Sequence, residues 1–439
     1  MNIQGIPREH LLRYCRQALN FFLAFIYSGG FLFIFPFSPL LLYSCYPIII
    51  GLSIACTLLD RRTAISVRSI IPYVYWILLY ACFGTLISPI SDVVLGDVLR
   101  MVVRNIMLIY AVSTVIVDED SFISLSRWIQ ITVILNAGIM MWQSFNPDFI
   151  AVITQTRNKF DTAWSADRPA GLLVNPDETS FAFLFAILIS YKDKSVLAWL
   201  GRIGTVIGIY LTASRTGAYI LVFYGLVFSF LFFKEKAFNL RYITIAGNSI
   251  VVLAAILLGL YSYFGLPKSF INDNAALTRI LDVQENSSEG GYARAEVTAA
   301  ALQLAQNSPL QGSGIFAFQE PQNMPVTSQR VHSRLRLLNL GTHNIFIAIL
   351  GEVGSFGFFL YLAMMSVSFP YVLKRNATSK ERIVISLLWF TYIVIGFTWH
   401  NQLTSLSGMI YIGLLCTFPA MKRDQEMQIG RPLAAYSLY

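Results

Sequence analysis

The stretch "GTHNIFIAILGEVGSFG" (341–357) sets His343 and Asn344 at the mouth of an apolar run, in a chain with only 4 histidines. Two other runs open in a similar way, with "NPDE" (175–178) and "SRTG" (214–217). Capping accounts for most of these side chains. Asn175 as N-cap, Pro176 at the first helical position and Glu178 at the third form a good capping pattern. Ser214 and Thr342 are expected caps too. No cap requires Arg215 or His343. Arg215 either snorkels to a membrane interface or serves a ligand. The positive end of a helix dipole disfavours a lone cation, whereas a phosphate there would satisfy both the guanidinium and the helix N–H groups. His343 stands open between an interfacial histidine and a site residue.

The remaining candidates are weaker. His332 reads as a solvated loop residue. His400, between Trp399 and Asn401, reads as part of an interfacial belt. The histidines have no metal-ligand spacing and no HExxH pattern occurs, so no metal site is expected from them. Arg100 and Arg104 share a helix face, which leaves packing and ligand contact both open.

The elements that must position these residues are membrane helices. The 439 residues are 56% hydrophobic and 13% charged, against about 25% charged in soluble domains. The mean hydropathy is +0.60. Apolar runs long enough to span a bilayer recur along the chain, which predicts an all-α polytopic membrane protein of about twelve transmembrane helices. The expected segments are 18–35, 40–59, 70–88, 98–117, 126–145, 171–191, 195–213, 215–233, 243–264, 342–367, 383–399 and 402–420. Arg202 interrupts the seventh. No cleavable signal peptide is evident. The 5 cysteines read as small apolar residues, and none lies in the long stretch between the ninth and tenth segments.

Basic residues set the orientation. With the N-terminus inside, 19 of the 32 basic residues fall on the inner side, among them Arg8, Arg13, Arg16, Arg62, Arg68, Arg127 and Lys192. The inner loop 118–125 is the exception, holding Asp118, Glu119 and Asp120. Both termini are then inside. The outer basic residues include Arg157 and Arg168 after the fifth segment, Arg215 at the mouth of the eighth, and Arg294 within the insertion 265–341. Outer arginines in those places suggest an anionic ligand at the outer face. The insertion is not low-complexity: "YARAEVTAAALQLAQ" (292–306) predicts a helix that ends before Pro309, and "PLQGSG" predicts a turn. The expected organisation is a single membrane domain over 1–439 with one large, partly helical outer insertion.

In this order the motifs resemble the O-antigen ligase and O-antigen polymerase superfamily. The matching pieces are "SRTGAYI" (214–220), Arg294 in "ARAEVTAAALQLAQNSPLQGSG", and His343-Asn344 followed by nine residues, then Gly354, two residues and Gly357. The last spacing looks like the ligase branch. The resemblance implies a membrane glycosyltransferase of the bacterial inner membrane with a periplasmic site, acting without metal or nucleotide. The implied donor is an undecaprenyl-pyrophosphate-linked glycan and the acceptor a sugar hydroxyl of lipid A-core. Membrane lipids are the other expected partners, and nucleic acid is not expected. By position, Arg215 and Arg294, with Arg168, would hold the pyrophosphate, and His343 would act as base or orient the acceptor. Asn344, Ser214, Arg157 and His332 would support them. A polymerase would use the same donor. A transporter or flippase would show inverted repeats and charges near the midplane; the sequence shows no repeats, and its polar motifs cluster at one face.

Overall fold

The computed structural model describes residues 7–29, 39–87, 92–145, 169–173, 175–235, 302, 305–306, 308–315, 344–366, 379–397 and 405–417. These residues are all-helical, with no strand among them. The helices are α1 (Arg8–Tyr27), α2 (Pro39–Leu59), α3 (Arg61–Arg68), α4 (Ile71–Ile87), α5 (Asp92–Val115), α6 (Glu119–Phe145), α7 (Pro176–Ile189), α8 (Val196–Leu211), α9 (Arg215–Glu235), α10 (Ile345–Ser366), α11 (Ser379–Gly396) and α12 (Leu406–Thr417). Among the described residues, 4 stretches are long and apolar enough to cross a membrane: Arg62–Ile87, Leu95–Val115, Glu119–Phe145 and Ile345–Ser366. Shorter apolar helices accompany them, and together they make a multi-pass membrane protein. The expected span at 243–264 lies outside the described residues.

Several boundaries differ from expectation, and two helices show why. The first helix starts at Arg8 rather than at residue 18 and ends at Tyr27 rather than 35. Its basic start is helical because it has partners. The Arg8 Nε donates to the Leu59 carbonyl (2.9 Å), and Arg16 pairs with Asp60 (2.7 Å). The tenth helix starts at Ile345, so its cap is Asn344 and not Thr342. The Asn344 Oδ1 accepts from Phe346 N (3.0 Å) and Ile347 N (3.2 Å).

The bundle has two unlike ends. One is an ion-pair end, where α2, α5 and α7 finish and α3, α6 and α8 begin. Asp60 caps α3 through Arg62 N (3.0 Å) and pairs with Arg16 and Arg62. Arg62 reaches Asp118 (3.4 Å), and Lys192 reaches Glu119 (2.9 Å). The acidic loop that breaks the basic pattern is therefore the counter-charge of its neighbours. Arg127 grips Asp193 with two hydrogen bonds, of 2.9 and 3.3 Å. Burial alone would raise the Asp60 and Asp193 carboxyls. The hydrogen bonds from Arg16 and Arg62 to Asp60, and from Arg127 and Ser195 to Asp193, outweigh it and hold both below the usual carboxylate range.

Arg202 does not weaken the seventh segment. Its guanidinium donates to the Ser190 carbonyl (2.6 Å), the Ser190 hydroxyl (3.0 Å) and the Asp193 carbonyl (2.9 Å). It thus satisfies carbonyls released at the end of α7. The helix itself is seated by small residues. A Cβ on Gly201 would lie 1.9 Å from Gln130 of α6, and one on Gly208 would lie 1.7 Å from Phe183 of α7. Such close approach is how helices associate without a hydrophobic driving force.

Candidate functional site

The opposite end gathers helix starts, and we refer to it as the cap end. Asn175 caps α7 through Asp177 N (2.9 Å) and Glu178 N (3.3 Å), with Pro176 at the first helical position, as the sequence predicts. Ser214 caps α9 through Gly217 N (3.3 Å). Asn344 caps α10. A fourth start, not singled out from the sequence, is α12, where the Ser405 hydroxyl accepts from Gly408 N (3.0 Å). The starts of α7 and α12 are joined, because the Ser407 hydroxyl donates to Glu178 Oε1 (3.0 Å). The starts of α7 and α9 also touch: a Cβ on Gly217 would fall 1.8 Å from the Ser180 hydroxyl. Four helix N-termini at one end supply positive dipole ends and spare N–H groups, which favour an anion.

Arg215 is the described member of the predicted phosphate set. It is the first residue of α9 and is half-buried. The turn that aims it is tight. Thr212, Ala213 and Ser214 are all buried, and Ala213 has φ 49°, a left-handed conformation uncommon outside glycine. The Thr212 hydroxyl accepts from Ser214 N (3.3 Å), and Ala218 N donates to the Ser214 carbonyl (2.9 Å).

His343, Arg294, Arg168, Arg157, His332 and His400 lie outside the described residues, so their juxtaposition with Arg215 stays an expectation. The scaffold beside three of them is described. Pro169 and Ala170, which follow Arg168, are buried. The chain after them is pinned to α6: Gly171 N donates to Gln143 Oε1 (2.9 Å) and Leu172 N to Asn136 Oδ1 (2.8 Å). His343 directly precedes the cap Asn344. Leu302, Ala305 and Gln306, from the helix predicted over 292–306, are helical. The turn predicted after Pro309 is present, with Gly312 N donating to the Ser308 carbonyl (2.8 Å).

Arg100 and Arg104 do not point into the core. Arg100 is exposed and pairs with Asp97 (3.2 Å), and the Arg104 Nε donates to the Arg100 carbonyl (3.2 Å). Sequence reasoning missed Asn136 and Gln143, whose signal was two amides seven residues apart in an apolar run. It also missed Ala213, which no residue-type pattern marks.

Taken together, the described residues form a helical membrane protein in which Asn175, Ser214, Asn344 and Ser405 cap four helices. Residues 200–362, from α8 into α10, match the family described as O-antigen ligase. This match, which covers less than half of the chain, supports kinship with the O-antigen ligase and polymerase superfamily, a family of membrane glycosyltransferase-like proteins. No curated protein matches it.

Proposed function

We propose that the chain is an O-antigen ligase that transfers a glycan from undecaprenyl pyrophosphate to a sugar hydroxyl of lipid A-core at the periplasmic face. One observation carries this reading. The family match at 200–362 encloses Arg215, Arg294 and His343, and it includes the described starts of α9 and α10. The acceptor oxygen attacks the anomeric carbon as the C–O bond to the pyrophosphate breaks. The bonding pair leaves with the pyrophosphate, whose developing charge Arg215 and Arg294, with Arg168, stabilise. The acceptor proton passes to His343, acting as base, or to water if His343 only orients the hydroxyl. Attack opposite the leaving group inverts the anomeric centre. The ion-pair end is then cytoplasmic, and both termini lie with it.

A deletion strain tests the branch. A ligase null leaves bare lipid A-core and accumulates long lipid-linked glycan; core capped with a single repeat would make the protein a polymerase instead. Orientation is tested separately with a reporter active only in the periplasm. It should work within 265–341 and fail near 375 or 430; activity at 375 would move every proposed site to the wrong compartment.

A further inference from the structure

Helix α10 is broken, and a segment of the outer insertion completes it. Gly354 has φ 66° and ψ −170° inside the run Ile345–Ser366, a conformation that side chains other than hydrogen do not tolerate. In a continuous helix Ser355 N would donate to the Gly351 carbonyl and Phe356 N to the Glu352 carbonyl. Here all four groups have other partners. Ser355 N donates to the Pro309 carbonyl (2.8 Å) and Phe356 N to the Leu310 carbonyl (3.2 Å). The freed carbonyls of Gly351 and Glu352 accept from Ser313 N (3.0 Å) and Gly314 N (2.6 Å). The turn 308–315 thus gives each of the four groups freed at the break a new backbone partner. It is held against α4 as well: Ile315 packs on Gly84, and Phe356 packs on Phe83 with ring centroids 4.6 Å apart.

The contact works only with glycine on both sides. Gly312 has φ +73°, and a Cβ there would lie 2.5 Å from the backbone of Glu352. A Cβ on Gly354 would lie 2.5 Å from the backbone of Leu310. A straight helix would satisfy the same four backbone groups within α10, so the turn stands in for helical hydrogen bonds at the break.

We infer that the turn 308–315 is a clasp, and that Gly312 and Gly354 are positioning residues that set the direction of the cap-end half of α10, Ile345–Val353. That half begins at Asn344, and a straight α10 would aim it differently. The inference rests on the transferase reading for its consequence, but not for its geometry.

The geometry is tested by a cysteine pair, Leu310→Cys with Phe356→Cys. Leu310 is 73% and Phe356 50% exposed, and their backbones are hydrogen-bonded. A short bifunctional thiol reagent should join them in high yield in native membranes. The consequence is tested with Gly354→Ala, which removes the glycine from the break and raises the propensity for a straight helix, and with Gly312→Ala, which changes no residue of α10. Each should cut the cross-link yield in the cysteine background. Each should also lower kcat for transfer between an undecaprenyl-pyrophosphate glycan and lipid A-core by about 100-fold, the cost of a small misplacement of a reacting group. Donor binding should stay near normal, which a merely unstable protein would not achieve. Low cross-linking in the parent would overturn the clasp. Full kcat in both glycine variants would overturn its positioning role. If the parent cross-links yet transfers no glycan to any acceptor, the transferase reading fails and the positioning role fails with it.

Discussion

The two ends of the bundle spend their polar residues in opposite ways. At the ion-pair end charges answer one another: Arg16 pairs with Asp60, Arg62 with Asp60 and Asp118, Lys192 with Glu119, Arg127 with Asp193. These contacts tie loops together. At the cap end the polar groups are helix starts and turns, held by short local hydrogen bonds and joined across helices by Glu178 and Ser407. Helix starts leave N–H groups and dipole ends aimed outward. The first end is built to hold itself, the second to hold something else. Charge in a membrane protein is therefore informative only with its partners in view.

The strongest break of this comparison is made at the cap end. His343→Ala should lose about 100- to 10,000-fold in transfer, the usual cost of removing a general base, and should still bind donor. Arg215→Ala should nearly abolish transfer while the protein accumulates in the membrane. Arg215→Lys should rescue it poorly, because an ammonium lacks the bidentate fork that grips phosphate oxygens. His332→Ala and His400→Ala should be far milder. The assay is purified protein in lipid, scored for binding and turnover. Near-normal turnover by both Arg215 variants would reduce that residue to an interfacial anchor.

At the ion-pair end the outcome should reverse. Asp193→Asn weakens the paired contact with Arg127, and Arg202→Met strips the donors from the Ser190 and Asp193 carbonyls. Each should cost about 1.5–3 kcal/mol, the range for hydrogen bonds to charged groups. Denaturation of the purified protein reads this directly. Turnover per folded molecule should not change. A variant here that folds normally and loses turnover would erase the distinction between the ends.

Acid should act on the same end more gently. Asp60 and Asp193 are both held below the usual carboxylate range in the folded protein. Their contribution to stability is therefore complete above the ordinary aspartate value of about 3.9 and is lost as pH falls below it toward the folded values. A thermal-stability profile should be flat with respect to these groups near neutrality and decline at acid pH. Asp193→Asn should make that decline shallower.

Much of this was legible in the residues themselves. The caps at Asn175 and Ser214, the turn after Pro309 and most apolar helices follow from local chemistry that acts within a few positions. What local chemistry could not supply was partnership at a distance. Arg8 and Arg16 read only as inner-side charges because Leu59 and Asp60 are far away in sequence. Arg202 looked like a flaw in its helix because the carbonyls it serves belong to the turn before α8. Gly354 and Gly357 were visible as a spacing, but nothing in the spacing said that Gly354 breaks α10 to receive Gly312 and Gly314. Of the candidate site itself, Arg215, Ser214 and Asn344 are now placed, whereas the grouping of His343 with Arg294 and Arg168 rests on sequence.

The smallest expected effect concerns Ala213, and it is the finest probe of the cap end. Its left-handed φ of 49° costs about 1–2 kcal/mol for a residue with a side chain. Glycine would remove that strain. It would also add unfolded-state freedom worth about 0.4–1 kcal/mol, and it would delete a buried methyl worth about 0.8 kcal/mol. These terms oppose one another and are similar in size, so Ala213→Gly should leave stability within about 1 kcal/mol of the parent. Its effect on function need not cancel. The methyl and the fixed φ stiffen the turn that delivers Ser214 and Arg215 to the start of α9, so a looser turn should lower transfer a few-fold, mainly in kcat. Measuring denaturation and turnover on the same preparation separates the two. An unchanged kcat would mean that the Ser214 cap alone aims Arg215, and that the strain at Ala213 is only the geometric consequence of joining α8 to α9 through so short a turn.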